Sequence, residues 1–163
     1  MRAKFIYESI ESYLEPKSDK DIVNSLSNLS KDKLSMKLID AVENDLIDIV
    51  QYLIGAGADV NYNNGATPLY MAAYYGHEQI VKMLIEAGAD INVKCVVGWT
   101  ALQIASARGD ENIVKMLLKA GADINAKNNN EHTALRYALY NSHERIIKIL
   151  KSYGQKNESK VYI

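Results

Sequence analysis

A five-residue motif, Gly-Ala-Asp-(Val or Ile)-Asn, occurs three times in this chain of 163 residues and limits the possible folds more than any other feature. The copies begin at Gly57, Gly88 and Gly121, so the intervals between them are 31 and 33 residues. Repeats of this length are typical of solenoids, in which each unit buries its apolar face only against its neighbours. The sequence therefore predicts a stacked array of similar units.

A threonine marks a second fixed point in each unit. Thr67, Thr100 and Thr133 recur at intervals of 33 residues, each at the start of a stretch rich in alanine and leucine. A threonine hydroxyl can accept hydrogen bonds from the free N–H groups of a first helical turn. Pro68 follows the first of these threonines, and proline at the first helical position loses no hydrogen bond. A first helix is predicted to begin after each threonine.

A second helix is predicted later in each unit. Ile80, Val81 and Leu84 are spaced to form one buried stripe, and the same spacing recurs in the next two units. A glycine follows each stripe, as is usual where a helix ends through a left-handed residue. The second helices are predicted over 77–86, 110–119 and 143–152, closed by Gly88, Gly121 and Gly154.

These motifs resemble the ankyrin-repeat family, whose repeats run Gly-x-Thr-Pro-Leu-His-x-Ala-Ala and end Gly-Ala-Asp-(Val or Ile)-Asn. The resemblance covers residues 32–154 and recurs in register. It implies an all-α solenoid of about four helix–turn–helix repeats, with antiparallel helix pairs stacked side by side and joined by β-hairpin fingers. The implied repeats lie at about 32–62, 63–95, 96–128 and 129–154.

The first implied repeat is degenerate. Counting back from Gly57 places Met36 at the threonine position, so the cap and the proline are missing there. Leu38 and Val42 keep apolar residues at the expected core positions.

The last implied repeat differs on its outer side. Lys151 stands where the second and third repeats have Ile85 and Leu118. Because a solenoid must end in a polar face, we interpret Lys151 as part of a C-terminal cap. Residues 155–163 are predicted to be a loose tail.

Residues 1–31 precede the array and are predicted to form two short helices. The first has an apolar face that includes Phe5 and Ile10, and it stops at Pro16. A capping box is indicated at Ser18-x-x-Asp21, after which apolar residues continue at helical spacing. We interpret the segment as an N-terminal helical cap over the flank of repeat one. The alternative is a separate docking helix or a membrane-surface helix.

Charge and composition exclude several function classes. The 19 Lys and Arg residues are balanced by 20 Asp and Glu residues, so the basic excess of a nucleic-acid binder is missing. No apolar run approaches the roughly 18 residues that a membrane span needs. The single cysteine, Cys95, allows no internal disulfide and fits a reducing compartment. A cytoplasmic protein is predicted, in the host cytoplasm if a biased composition rich in Asn, Ile and Lys reflects a viral or effector origin.

No catalytic, cofactor or metal site is predicted. His77 and His143 occupy the same repeat position, where the family commonly has histidine, so a structural role is implied for both. Cys95 has no cysteine partner, and a reactive thiol would need a lowered pKa for which only Lys94 lies nearby in sequence. The sequence shows no glycine-rich phosphate loop and no spacing of histidines suited to a metal.

The resemblance leaves certain positions free: the finger tips, the residue before each threonine and the end of each first helix. It implies that these positions face one concave side. Val96, Val97 and Trp99 stand at the tip of the second finger, where a solvated turn has no need for apolar residues. Tyr, Trp and Arg are the residue types that dominate interface hot spots. The alternative is that Trp99 folds back onto the neighbouring finger and that Tyr74 or Tyr140 pack between repeats. The predicted partner-binding residues are Tyr62, Asn63, Asn64, Tyr74, Tyr75, Val96, Val97, Trp99, Ala107, Arg108, Asn130, His132, Tyr140 and Asn141.

The function predicted from these observations is protein binding by a small adaptor or inhibitor that is a monomer when free. The partner is another protein, and neither a nucleic acid nor a membrane is expected. Two alternatives remain: a self-associating structural scaffold that pairs through Trp99, and the regulatory fragment of an enzyme.

Glu131 interrupts the pattern of the fingers. It stands where Gly65 and Gly98 occupy a position that commonly requires a positive φ. Either Glu131 keeps that strained turn, or the run of asparagines at 128–130 moves the left-handed residue upstream, since asparagine tolerates it. We favour the displaced turn.

Overall fold

The structure is a computed structural model that describes residues 29–158, with only the backbone described for residues 156–158. Within this range the chain forms eight α-helices and no strand. They are α1 (Lys31–Glu43), α2 (Ile47–Gly55), α3 (Pro68–Tyr75), α4 (Glu78–Glu86), α5 (Ala101–Arg108), α6 (Glu111–Lys119), α7 (Ala134–Tyr140) and α8 (Glu144–Glu158). The two helices predicted within residues 1–31 lie outside the described residues, apart from their last three positions.

The helices form two layers. In the inner layer α1, α3, α5 and α7 pack side by side, and in the outer layer α2, α4, α6 and α8 do the same. Each inner helix also packs against the outer helix that follows it in sequence. The all-α solenoid of helix pairs predicted from the sequence is therefore confirmed.

The predicted threonine caps are confirmed. The hydroxyls of Thr67, Thr100 and Thr133 accept hydrogen bonds from the backbone N–H three residues later, at 3.2, 3.3 and 3.4 Å. Pro68 occupies the first turn of α3. These local bonds satisfy donors that a helix start otherwise leaves free, so each inner helix begins at a defined residue.

Helix α1 begins earlier than the repeat register predicts. It starts at Lys31, and the hydroxyl of Ser30 accepts a hydrogen bond from the N–H of Lys33 at 3.4 Å. The cap that is missing at Met36 is therefore supplied upstream. Met36 lies within the helix with 51% of its surface exposed.

The outer helices end at glycine in three repeats but not in the fourth. Gly88 and Gly121 have φ values of 87° and 93°, as predicted for a left-handed helix end, and Gly57 has a similar φ of 91°. The prediction for Gly154 is wrong, because α8 continues through it to Glu158. The sequence after Gly154 lacks the Ala-Asp-Ile-Asn loop and offers residues such as Gln155 that favour helix, so residues 155–158 are helical rather than loose.

Side chains in the loops link each repeat to the next. The Asn61 Oδ1 accepts a hydrogen bond from the N–H of Asp90 at 2.7 Å, and the Asn92 Oδ1 accepts one from the N–H of Asp123 at 2.8 Å. Within repeat one the buried hydroxyl of Ser35, on α1, accepts a bond from the N–H of Asp59 at 2.8 Å. The aspartate N–H thus has a side-chain acceptor in all three loops, although in repeat one this bond stays within the repeat.

The inner and outer layers differ in polarity at the C-terminal flank of the array. Val42, Ala73 and Ser106 occupy equivalent positions on the inner helices and are fully buried between repeats. Their counterpart on α7, Leu139, is 52% exposed. Lys151 on α8 is exposed as predicted, so this flank is polar on the outer layer and apolar on the inner layer.

The fingers contain no strand within the described residues. Residues 92–100 form a loop that is closed by the hydrogen bond from the Cys95 N–H to the Trp99 carbonyl oxygen at 2.9 Å. The third finger is closed by the bond from the Asn128 N–H to the His132 carbonyl oxygen at 3.1 Å. The second and third fingers are therefore short turns with one hairpin-like pair each, rather than the β-hairpins that the family resemblance implied.

Glu131 keeps the turn of its counterparts. Its φ is 61°, against 93° at Gly65 and 80° at Gly98, so the displaced turn that we favoured from the sequence is wrong. The reason is Asn128, whose buried side chain fixes the turn. Its Oδ1 accepts hydrogen bonds from the N–H groups of Asn130 and His132 at 3.0 and 3.1 Å.

Glu131→Gly is expected to leave the free energy of unfolding nearly unchanged or slightly higher. Glycine removes a left-handed strain on the order of 1 kcal/mol, and it adds unfolded-state entropy of roughly 0.4–1 kcal/mol. Chemical denaturation measures the difference. Glu131→Ala is the control, because it keeps the strain while removing the ion pair between Glu131 and Lys127. A loss in the glycine variant larger than that in the alanine variant would contradict the strained turn.

Candidate protein-binding surface

The ends of the inner helices place two rows of side chains next to one another. Equivalent positions of adjacent repeats lie side by side, because α1, α3, α5 and α7 pack in order. We call these two rows the inner-helix surface. The first row is Glu43, Tyr74, Ala107 and Tyr140, and the second is Asn44, Tyr75, Arg108 and Asn141.

Aromatic residues on α3 form the largest exposed cluster of this surface. Tyr74 and Tyr75 are 45% and 41% exposed, and their rings meet edge to face at 5.1 Å. Tyr70 lies 6.3 Å from Tyr74, and the ring of His77 stacks on Tyr75 at 5.7 Å. The two tyrosines are thus oriented by their neighbours while a large part of each ring remains in solvent.

Arg108 joins α5 to α3 at the edge of this cluster. Its Nε donates a hydrogen bond to Asp110 Oδ2 at 2.7 Å, and its Nη2 donates to the Tyr75 carbonyl oxygen at 3.5 Å. The guanidinium is therefore held beside Tyr75. A cation fixed in this way gives the surface a directed donor next to its aromatic rings.

The alanine of the first row lies between two tyrosines. The carbonyl oxygen of Ala107 is bound by Asn141 Nδ2 at 2.9 Å and lies 3.0 Å from His143 Nε2. Tyr140, in the next repeat, is 86% exposed. A small residue between Tyr74 and Tyr140 leaves less side-chain volume at the middle of the row than at either side.

Among the three finger tips, the second carries exposed apolar side chains. Val96 and Val97 are 78% and 55% exposed, and the Val96 N–H donates to the Gly65 carbonyl oxygen of the first finger at 2.8 Å. The polar residues predicted at the other two finger tips, Asn63, Asn64 and Asn130, are exposed as well, whereas Tyr62 is half-buried.

The ring of Trp99 is less accessible to a partner than its position at a finger tip suggests. Its ring packs against Tyr137 of α7 with a centroid distance of 4.1 Å, and His132 meets the same tyrosine at 5.6 Å. The Tyr137 hydroxyl also accepts a hydrogen bond from Asn128 at 2.7 Å. Trp99 therefore packs between repeats, though on the next inner helix rather than on the neighbouring finger.

Tyr137 is the residue that sequence reasoning missed. Its counterparts in the second and third repeats are Met71 and Ile104, which are ordinary apolar core residues. An aromatic residue at that position, one repeat after a tryptophan, was the available signal.

The residues considered for chemistry occupy structural positions. Cys95 is buried, and burial together with this neighbouring thiol raises the pKa of Tyr70 to about 12. His77 Nδ1 lies 3.4 Å from Asp45 Oδ1 of the preceding repeat, and His143 contacts Ala107 as described. Both histidines thus join repeats.

Residues 29–158 contain no group of three His, Cys, Asp or Glu side chains that could hold a metal ion. Among the helices of the same range, none combines the length and the apolar character that spanning a bilayer requires.

Comparison with known proteins gives one consistent family. The sequence model of ankyrin repeats matches three overlapping stretches, residues 15–95, 38–128 and 95–161. An ankyrin repeat and KH domain-containing protein of Caenorhabditis briggsae is 34% identical over 53% of this chain and 3% of its own length. A putative ankyrin repeat protein of fowlpox virus is 36% identical over 37% of the chain and 19% of its own length.

A third relative is named for regulation. Protein phosphatase 1 regulatory subunit 12A of Mus musculus is 43% identical over 26% of this chain and 4% of its own length. The matches thus cover only a small part of each of these relatives, between 3% and 19%.

Proposed function

The chain belongs to the ankyrin-repeat family, whose repeats generally mediate protein–protein interaction, and on that basis we propose that it binds one folded protein through the inner-helix surface and the finger tips. In this role it is a non-enzymatic adaptor or inhibitor, a monomer when free, that acts in the cytoplasm. The proposal needs no nucleic acid, membrane or cofactor.

The observation that carries the proposal is the exposure of three tyrosines on one surface. Tyr74, Tyr75 and Tyr140 present large rings to solvent at the ends of the inner helices α3 and α7, on either side of α5. Tyrosine, tryptophan and arginine supply most hot spots of protein interfaces, and they do so from the centre of a patch that excludes water. Arg108 beside Tyr75 extends this patch, and the two valines of the second finger add exposed apolar side chains at a finger tip.

The rigidity of the surface also favours a folded partner. Arg108, Asn141 and His143 each bond a backbone carbonyl of the preceding inner helix, so the rows cannot shift independently. Pre-organised surfaces lose little conformational entropy on binding, which improves affinity for a partner of fixed shape. The regulatory subunit among the relatives is an example of a protein with similar repeats that is named for regulation.

Tyr74→Ala combined with Tyr140→Ala is expected to weaken the partner complex at least tenfold, about 1.4 kcal/mol, with little change in the unfolding midpoint. The partner is first isolated with the full chain from the cells that produce it and identified by mass spectrometry. Affinities are then measured with purified components. Gln79→Ala with Lys148→Ala, both on the exposed outer layer, is the control and should keep the affinity within twofold.

Full affinity in the tyrosine variant would place the binding site elsewhere. Light scattering on the free protein tests the scaffold alternative. A fraction of dimer that increases with protein concentration, and that is lost in the tyrosine variant, would favour self-association through this surface.

A further inference from the structure

The three finger tips differ in how their backbone nitrogens are bonded. In the second finger the Gly98 N–H donates to the Cys95 carbonyl oxygen at 2.8 Å, and in the third the Glu131 N–H donates to the Asn128 carbonyl oxygen at 3.0 Å. The equivalent nitrogen of the first finger belongs to Gly65. Among residues 29–158 the Gly65 N–H has no hydrogen-bond acceptor. The tip of the first finger is therefore not held by its own backbone.

The length of the first finger accounts for this difference. Thr67 follows Asn61 by six positions, whereas the corresponding interval is eight positions in each of the other two fingers. Tyr62 stands where Cys95 begins the closing pair of the second finger, but the Tyr62 N–H donates to the Asp59 carbonyl oxygen instead. With two residues fewer, the described first finger contains neither the closing pair nor the turn bond at the tip.

The residue before Gly65 is an exposed asparagine, Asn64. Other asparagines have side chains that are engaged in bonds between repeats. Asn61 and Asn92 each accept a bond from the following loop, and Asn141 donates one to α5. Within the part of the chain that the structure describes, the side-chain amide of Asn64 has no such bond. Both the Asn64 amide and the nitrogen that follows it are therefore available for reaction.

Asparagine is a thermolabile residue, and a following glycine makes it more so. The glycine nitrogen attacks the asparagine Cγ, and the new C–N bond closes a five-membered succinimide ring. The bond from Cγ to Nδ2 breaks, and ammonia leaves with the proton that the backbone nitrogen has given up. Water then opens the ring at one of its two carbonyls, which yields aspartate or isoaspartate. Glycine favours the attack because no Cβ stands beside its nitrogen.

A hydrogen bond from the attacking nitrogen opposes this reaction. The nitrogen must lose its proton and turn toward Cγ, so an N–H that is held by a carbonyl oxygen has to be released first by a local opening. We propose that Asn64 is a site of spontaneous deamidation in the folded protein, with water as the co-reactant, because the Gly65 nitrogen is not held in this way. The reaction needs no partner, so it occurs whether or not the proposed function holds.

The product alters the link between the first two fingers. The Gly65 carbonyl oxygen accepts the Val96 N–H at 2.8 Å. Isoaspartate at position 64 lengthens the main chain by one carbon atom immediately before the residue that supplies this acceptor. It also places a carboxylate on an exposed finger tip. Deamidation is therefore expected to weaken the bond that positions Val96, one of the two exposed valines of the second finger.

The rate of deamidation in the full chain tests the site. Peptides that contain Asn64 are followed by mass spectrometry at neutral pH, in the folded protein and in concentrated urea. The folded rate is expected to lie within threefold of the rate in urea, because folding does not hold the Gly65 nitrogen. A folded rate that is at least tenfold slower than the rate in urea would overturn the proposal.

Val97→Asn is the matched control, because it places an asparagine before the glycine of the second finger at a position that is 55% exposed. Its rate in urea should equal that of Asn64, and its folded rate should be at least tenfold slower, since the following N–H donates to Cys95. Glu131→Gly creates the same dipeptide after Asn130 in the third finger and gives the same comparison if the first variant disturbs its loop. Folded rates equal to that of Asn64 in these variants would show that the hydrogen bond is not what separates the sites.

Hydrogen exchange of the Val96 amide tests the altered link. In the isoaspartate form, separated from the unreacted chain by ion exchange, this amide is expected to exchange at least tenfold faster. Asn64→Asp adds the charge without lengthening the main chain and should leave the exchange rate within twofold of the unreacted protein. An unchanged rate in the isoaspartate form would overturn the expected effect on the second finger.

Discussion

Gly98→Ala is expected to lower the free energy of unfolding by about 2–4 kcal/mol. The φ of Gly98 is 80°, a conformation that costs an L-residue roughly 1–2 kcal/mol. A methyl group there would also come within 2.8 Å of the backbone nitrogen of Asn129 and would overlap its side chain. Overpacking of this kind typically costs 1–3 kcal/mol, and a backbone atom cannot move aside as a side chain can. Urea denaturation of both proteins measures the loss.

Gly65→Ala is the matched control for that substitution. Gly65 occupies the same position of the first finger and has a φ of 93°. Its added methyl group would meet only Val96, at an ordinary contact distance of 3.5 Å. The expected loss is about 1–2 kcal/mol from the backbone alone. Equal losses in the two variants would show that the close approach between the second and third fingers contributes nothing.

Gln103→Met is expected to lower the free energy of unfolding by about 2–4 kcal/mol. The side chain of Gln103 is 1% exposed and completes a capping box by accepting the N–H of Thr100 at 2.9 Å. Its Nε2 donates to the carbonyl oxygens of Ala126 and His132 at 2.9 and 2.8 Å. Methionine keeps the volume and the helix preference but leaves the Thr100 N–H and the Ala126 carbonyl oxygen without the partner that Gln103 supplies. The His132 carbonyl oxygen loses one of its two bonds and keeps the one from the Asn128 N–H. Each unsatisfied buried group costs about 1–3 kcal/mol.

The control for Gln103 lies one repeat later. Arg136 occupies the equivalent position on α7 but is exposed. Arg136→Met is expected to change the free energy of unfolding by no more than about 0.5 kcal/mol, as is usual for surface positions. If both substitutions cost the same, the bonds of Gln103 to the third finger do not stabilise the array.

The helices of the middle repeats could be predicted because their signals are local. Thr67, Thr100 and Thr133 bond within their own first turns, and the apolar spacing of an outer helix lies within one stretch of sequence. The exception at Gly154 has a local cause as well. The glycine is present, but the loop sequence that ends the other outer helices is not, and helix formation continues.

The fingers were harder to predict because their conformation depends on contacts between repeats. Asn128 fixes the turn at Glu131 while it bonds Tyr137 nine residues away. Trp99 is covered by that same tyrosine, 38 residues later in the chain. Neither contact is visible in the sequence around the finger. This is why the sequence predicts a displaced turn, which is wrong, and does not predict the packing of Trp99 on Tyr137.

The exposed tyrosines could be placed by repeat position alone. Tyr74, Tyr75 and Tyr140 fall at the ends of inner helices, where the stacked arrangement leaves side chains in solvent whatever their type. Their role in binding a partner stays a prediction. The role of Ser35 could not be predicted from repeat position. Its hydroxyl accepts the N–H of Asp59, whereas in the later loops an asparagine side chain accepts the N–H of the equivalent aspartate.

The hydrogen bonds that the side chains of Ser35, Asn61 and Asn92 accept all have the same order along the chain. In each, an earlier side chain accepts the N–H of an aspartate in a later loop. A ribosome releases the N-terminal repeats first. When each new loop emerges during translation, the acceptor that fixes it is therefore already in place. The array can be completed vectorially, one repeat at a time, without waiting for the C-terminus to leave the exit tunnel.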